Sequence, residues 1–484
     1  MGKGKIFRQF PSTFWAANVM ELFERWAWYG IYMVLALYLT GSTDTGALGF
    51  SQEQKGSLMG TVTFLLYLLP IITGAIADRY GYKKVLTIAF IILSTGYFSL
   101  AHVRSYWSFY VLFLYLSVGA ALFKPIITAT VSHTTNDQTS SIGFGIFYMI
   151  VNIGAFLGPI FASKLRILDW KFVFYLSSAI ICINFILLFF FYKEPINKKQ
   201  HTPILVSIKN IIKNTVTVLA DFKLMLFLII MVGFWAMYLQ LFYTLPIFID
   251  QWMDTKILYD AIENFWPALA HIAGTSQRTI APEILTNIDA FYIVIFQLLV
   301  SSLVSRFSPL MAMTNGIMMA TIGIALMFAF NNPIYLFFSI LIFSLGEMAT
   351  SPKIQEYVGK IAPPDKTALY MGYSYLPLAG GHIVAGFISG SIFAKIADKS
   401  TLLRNDLLSR GIVMPDISPT YTLNHFYSEA SSLLHLDSSC LTSYLWQTYH
   451  PGRIWILFSS IGLVSFLALL MYDRFFIRQK KILQ

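Results

Sequence analysis

Apolar runs long enough to cross about 30 Å of hydrocarbon recur along the whole chain. They lie near 13–40, 56–77, 84–102, 107–132, 141–164, 171–192, 223–249, 287–307, 309–329, 333–352, 368–396 and 453–474. The runs are continuously apolar and too long for strands, and a helix satisfies every backbone polar group within its own segment. The pattern predicts an all-α membrane protein of twelve transmembrane helices. Six precede a polar gap at 193–222 and six follow it, so the chain divides into a bundle at 1–192, a linker, and a second bundle at 223–484.

Within the gap, Leu205, Ile208, Ile212, Val216 and Leu219 repeat at spacings of three and four, while Lys209, Asn210, Lys213 and Asn214 take the other face. This is an amphipathic helix suited to the membrane interface; a solvated linker helix would be less apolar. Lys and Arg fix the orientation. Lys3, Lys5, Arg8, Arg79, Lys83, Lys84, Lys193, Lys198, Arg474 and Arg478 all fall on one side, which places the linker and both termini in the cytoplasm. The longer stretches near 250–286 and 397–452 then face outward, with room for short helices.

Composition narrows the function. Of 484 residues 56% are hydrophobic and 12% charged, about half the charged share of a soluble protein. The net charge of +10 belongs to cytoplasmic loops, not to nucleic-acid binding. The first apolar run is too long for a cleaved signal. Cys182 and Cys440 give no disulfide, and no metal motif stands out. With no nucleophile–base pair and no phosphate loop, an enzyme is not expected. Nor is a cofactor.

The charges inside the runs carry the chemistry. Glu21, Glu24 and Arg25 lie within five residues, and with Trp28 and Tyr32 they form one stripe of a helix. A charge at mid-membrane costs about 3 kcal/mol, so the stripe must face protein or water. It is either an ion pair that glues helices or a path for substrate and protons; the density of charge favours the path. Lys124 stands in the fourth run and Glu347 in the tenth, and each needs a partner. A contact between them would join the two halves and could open and close. Three acids against two bases leave one surplus carboxylate, which tends to take up a proton.

Gly74-Ala-Ile-Ala-Asp78-Arg79-Tyr-Gly81 joins the second and third runs, with Asp78 placed to accept from a neighbouring helix N-terminus. Asn152 precedes Gly154 and Gly158, a small-residue packing face. His382 is a histidine inside a span, more often a bond to a neighbouring helix than a proton carrier. Prolines 70, 125, 159, 246, 352 and 377 break or kink spans.

The Asp78-Arg79 loop resembles the signature of the major facilitator superfamily, where it latches conformations. Glu21, Glu24 and Arg25 with Lys124-Pro125, Phe147-Tyr148…Asn152-Ile-Gly154 and Gly346-Glu347 together resemble the proton-dependent oligopeptide transporter family within it. The resemblance implies two six-helix bundles about a cavity and a monomeric proton-coupled importer of di- and tripeptides or peptide-like solutes. It implies residence in a bacterial inner membrane, with protons as the coupling ion. Glu21, Glu24 and Arg25 would couple protons. Lys124 and Glu347 would hold the peptide termini and gate the cytoplasmic side, with Arg25, Tyr29, Tyr67 and Asn152 lining the pocket. Trp28, Tyr32 and Tyr238 replace residues usual in the family, Tyr32 standing for an arginine, and Phe234-Trp235-Ala-Met-Tyr238-Leu239-Gln240 lacks the glutamate of the family's Phe-Trp…Glu-Gln pattern, so the arginine–glutamate pair of the outer gate is lost as a whole; with Gln240 and His382 these three are further pocket candidates. These replacements keep open a different amphipathic cargo, or a receptor that transports nothing.

Overall fold

The computed structural model describes residues 9–136, 139–195, 213, 215, 216, 218, 220–329, 332–363 and 367–478. Most of the linker helix expected at 193–222 lies outside them, as do Lys3, Lys5, Arg8, Lys198 and Lys209. Among the described residues the secondary structure is helical, apart from one isolated bridge between Gly274 and Ile280. Among the described residues eleven helices are long and apolar enough to cross a membrane. Ser12–Thr40 is also long enough, at 29 residues, and differs by its three charges. The stretches around 250–286 and 397–452 hold short helices as expected, among them Lys256–Phe265, Lys399–Ser409, Leu423–Leu434 and Ser438–Tyr449.

The chain forms two compact units. The first comprises the chain up to Ile31, Val62–Met225 and Ala368–Ala379; the second comprises Tyr32–Thr61, Leu226–Thr367 and Gly380 onward. Ser12–Thr40 and Gln52–Leu68 thus each give one end to either unit. In the first unit, Tyr82–Leu100 packs against Tyr106–His133 and Trp170–Ile186. In the second, Pro309–Ala329 packs against Ile334–Ile361 and Arg453–Tyr472.

The prolines divide into two kinds. Pro70, Pro246 and Pro377 stand in the first two positions of helices, where a missing N–H costs nothing. Pro125, Pro159 and Pro352 lie inside continuous helices and do not break them. At Pro125 the reason is visible. Proline has no N–H for the carbonyl of Ala121, and the Thr73 hydroxyl donates to that carbonyl instead, at 2.6 Å.

Candidate functional site

Ser12–Thr40 carries the charged stripe deep in the first unit because two neighbours seat it closely. A side chain at Gly154 would stand 2.7 Å from the Leu22 carbonyl, and one at Gly158 would stand 2.5 Å from the Gly30 nitrogen. Only glycine admits that approach, so the expected small-residue face is the seam against this helix. On Trp170–Ile186, Asn184 donates to the Met20 carbonyl at 3.2 Å and Ser177 to the Ala27 carbonyl at 3.2 Å. These bonds fix the rotation of the stripe.

Glu24 is fully buried, and Glu21 and Arg25 nearly so. Arg25 Nε donates to Glu24 Oε2 at 2.5 Å and lies 3.4 Å from Glu21 Oε1; its Nη2 also pairs with Glu24. The guanidinium therefore serves both acids and lies 5.8 Å from the Tyr29 ring centre. Lys124, fixed beside Pro125, puts its ammonium 4.4 Å from the centre of the Tyr67 ring and within electrostatic range of Glu21, Glu24 and Arg25. A cation over a tyrosine face is held by the ring quadrupole without being neutralised. The first unit thus assembles Glu21, Glu24, Arg25, Tyr29, Tyr67 and Lys124 into one cluster of two acids and two bases.

Other expected residues of the first unit have local partners. Trp28 is buried and stacks on Phe113, with ring centres 6.1 Å apart. Asn152 donates to the carbonyl of Tyr148 on its own helix at 2.8 Å. Asp78 stands near the C-terminal end of Pro70–Tyr80. It accepts from the Tyr82 hydroxyl at 3.1 Å, and the first N–H of Tyr82–Leu100 is taken by Glu194 at 2.5 Å. Gly81, at a φ of +93°, turns the chain sharply enough to bring that N–H to Glu194. Arg79 stands 5.6 Å from the centre of the Tyr80 ring.

The second unit holds the rest. Tyr32 is buried against Phe242 and Tyr243. Gln240 is fully buried, donating to the Ala236 carbonyl at 3.0 Å and accepting from Thr244 at 2.6 Å. His382 Nδ1 meets the Tyr243 hydroxyl at 2.9 Å, the helix-to-helix bond that is usual for such a histidine. Glu347 sits on Ile334–Ile361, hydrogen-bonded by Tyr238 and in hydrogen-bonding reach of Asp289.

Two residues here escaped the sequence reading. Asp289, in the first turn of Ile288–Val304, is buried and accepts from Ser344 at 2.5 Å. It changes the charge sum. The acids and bases counted in the first unit cancel, and the surplus acid is in the second, where Asp289 adds to Glu347. Lys55 is the other. It is fully buried, and its Nζ donates to the Ser389 carbonyl at 2.9 Å, the Ser389 hydroxyl at 2.6 Å and the Tyr243 carbonyl at 3.1 Å. Ser389 belongs to a π-helical turn, Ile388–Ile392. Gly56 and Gly60 beside the lysine pack directly on Gly386 and Gly390.

The Major Facilitator Superfamily profile matches residues 18–261. The uncharacterized transporter YclF of Bacillus subtilis is 32% identical over 164 residues, 33% of either chain. Dipeptide and tripeptide permease B of Photorhabdus asymbiotica is 33% identical over 165 residues, 32% of either chain. The chain thus spans about a third of the length of the curated relatives it matches. In fold the likeness runs almost end to end: the peptide transporter POT crystallised with sulfate superposes with a TM-score of 0.69, at 17% identity, covering 98% of this chain and 99% of that one. The apolar helices and the profile make the chain an integral membrane protein. With just over half of its length matched by the profile and this fold, it belongs to the major facilitator superfamily.

Proposed function

We propose that the chain is a proton-coupled symporter that imports di- and tripeptides, or solutes like them, by alternating access of two six-helix bundles at 1–192 and 223–484. The buried cluster of Glu21, Glu24, Arg25 and Lys124 carries the reading. Four ionisable groups inside an apolar bundle are costly to keep charged, and this set can exchange partners when a proton or a substrate carboxylate enters. A proton on Glu21 or Glu24 releases the guanidinium; a peptide carboxylate then pairs with Arg25 or Lys124. Glu347 takes the peptide amino group, and its pairing with Lys124 closes the cytoplasmic side. Tyr29, Tyr67 and Asn152 orient the backbone of the cargo, and Asp78 and Arg79 act in the conformational change. The named cargo of the permease and of the POT structure supports the choice of peptide.

The protein acts as a monomer in a bacterial inner membrane, with both termini in the cytoplasm and protons as its coupling ion, without a cofactor. A second reading keeps the mechanism and changes the cargo to a more apolar amphipathic solute. Trp28, Tyr32 and Tyr238 favour it, since all three are aromatic and uncharged. Uptake of a mixed di- and tripeptide pool into proteoliposomes, analysed by mass spectrometry, separates the two. Accumulation of peptides supports the first; retention of none by folded protein rejects it in favour of the second.

A further inference from the structure

Two short helices of the second unit, Lys256–Phe265 and Pro267–Ala273, form a hairpin between two membrane spans. Its feet are fixed. Leu245–Trp252, which continues the span Phe222–Tyr243, packs against Pro282–Thr286, which opens the span Pro282–Val304. One span ends there and the next begins, so both feet stand at one surface of the membrane. The hairpin is held shut from within. Thr275 N–H donates to the Thr279 carbonyl at 2.8 Å, Gly274 packs on the Tyr259 ring, and Leu258, Tyr259 and Ala270 are buried. Its charges are gathered beside Tyr259. Arg278 Nη2 meets Asp260 Oδ1 at 3.2 Å and also pairs with Glu263, and the guanidinium lies 5.4 Å from the Tyr259 ring centre. Between Glu263 and Arg278 the chain has no Asp, Glu, Lys or Arg. The side chains that protrude there are apolar. Phe265 is 90% exposed, Trp266 57%, Leu269 39% and Ile272 66%. Leu269 and Ile272, three residues apart, share a face of their helix, turned away from the buried Ala270.

A connection in water would turn polar residues outward at its tip; this one turns outward its most apolar residues. Lipid is the phase in reach. On the adjoining helix Ile288–Val304, Phe291, Ile295, Leu298 and Leu299 are exposed too, and in a span such side chains face hydrocarbon, so lipid borders this edge of the second unit. A second copy of the chain fits less well. At roughly 200 Å² for a large side chain, four at these exposures offer about 500 Å², short of the about 800 Å² per partner of a stable protein interface. We propose that the hairpin docks on the bilayer, with Phe265, Trp266, Leu269 and Ile272 entering the boundary between headgroups and acyl chains in the leaflet at that end of the spans. The docking is apolar and asks for no lipid charge, because the tip offers no acidic or basic side chain to a headgroup. It follows from the membrane assignment and does not depend on the cargo.

Spin labelling of the full chain in phosphatidylcholine vesicles tests this directly. Cys182→Ser and Cys440→Ser remove the native thiols, both exposed. A nitroxide is then placed in turn at Phe265→Cys, Leu269→Cys and Ile272→Cys. Leu298→Cys, on the lipid-facing side of the next span, and Ser276→Cys, exposed beyond the tip, are the references. Each tip label should relax with oxygen in preference to a water-soluble nickel chelate, as at Leu298, and the preference should reverse at Ser276. Adding phosphatidylglycerol should leave the pattern unchanged. Nickel access at the tip equal to that at Ser276 would place the tip in water and overturn the proposal. Exclusion of both reagents would mean that protein, a second copy included, covers the tip, and would overturn it equally. Insertion that appears only with phosphatidylglycerol would mean headgroup recognition and reject apolar docking. In the otherwise wild-type chain, Trp266→Phe should reduce the quenching of tryptophan emission by brominated lipid, and undiminished quenching would count against the tip without any label. A monodisperse elution profile confirms that each variant is folded.

Discussion

Gly56 offers the sharpest structural test. It lies one residue after the buried Lys55, where Gln52–Leu68 crosses Gly386 and Gly390. A Cβ at position 56 would stand 2.2 Å from the Gly386 carbonyl oxygen and 2.8 Å from Gly390 Cα. A relaxed carbon–oxygen contact is about 3.3–3.6 Å, so Gly56→Ala must push the backbones apart by roughly 1 Å. Both atoms met are backbone, so no side chain can swing aside. Overpacking of this kind costs about 1–3 kcal/mol, a factor of about 5 to 150 in the clasped arrangement. Gly60→Ala should cost less, because its Cβ would meet the His382 carbonyl at 3.0 Å and Gly386 Cα at 3.2 Å. Gly145→Ala is the control: nothing lies within 4 Å of its Cβ, and alanine is favoured in a helix by about 1 kcal/mol. Thermal unfolding in detergent should rank the midpoints Gly145→Ala highest, then Gly60→Ala, then Gly56→Ala. A Gly56→Ala midpoint equal to or above that of Gly145→Ala would refute the close crossing.

Thr73→Val removes the donor that serves the Ala121 carbonyl beside Pro125; it should cost about 1–3 kcal/mol in thermal unfolding, while Thr73→Ser stays near wild type, and equal midpoints would dismiss the substitution of hydroxyl for N–H. Lys55→Met strands the Ser389 carbonyl, while the Ser389 hydroxyl can still donate to Tyr243 at 3.1 Å. Its midpoint should fall by the equivalent of about 1–3 kcal/mol; a rise would mean that desolvation of the ammonium outweighs its three bonds. At Asp44, burial acts to raise the carboxyl, but hydrogen bonds from Ser42 and Asn424 outweigh it and hold the group below its ordinary 3.8. A lowered acid stabilises while ionised, so the tie from Asp44 to Asn424 should persist at neutral pH and be lost as the pH falls below that value. Hydrogen exchange at 422–426 should quicken between neutral pH and about pH 3 beyond the intrinsic change; no excess would refute it.

The charged stripe and Lys124 were legible in the sequence because ionisable residues inside long apolar runs have few explanations. The spans were legible for the same reason of length and polarity. Lys55 was not, since it stands one residue outside the apolar run at 56–77 and looks like an ordinary loop lysine; only the packing of Gly56 and Gly60 on Gly386 and Gly390 draws it inside. Asp289 escaped similarly, in the first turn of its helix, where an acid is expected at the surface to complement the helix dipole. The N–H that opens Tyr82–Leu100 is taken by Glu194, a residue distant in sequence to which no local spacing points. Gln240 is occupied by Ala236 and Thr244, contacts that depend on a side-chain rotamer and have no sequence signature.

Proton coupling through the first-unit cluster is the central claim, and it is tested most directly by dialanine uptake into proteoliposomes holding the wild type or Lys124→Ala. Interior pH and peptide should be recorded together under an inward proton gradient. The wild type should accumulate dialanine and acidify the lumen in step with it, and Lys124→Ala should do neither. Accumulation by Lys124→Ala at the wild-type level, or uptake by the wild type without acidification, would contradict the account.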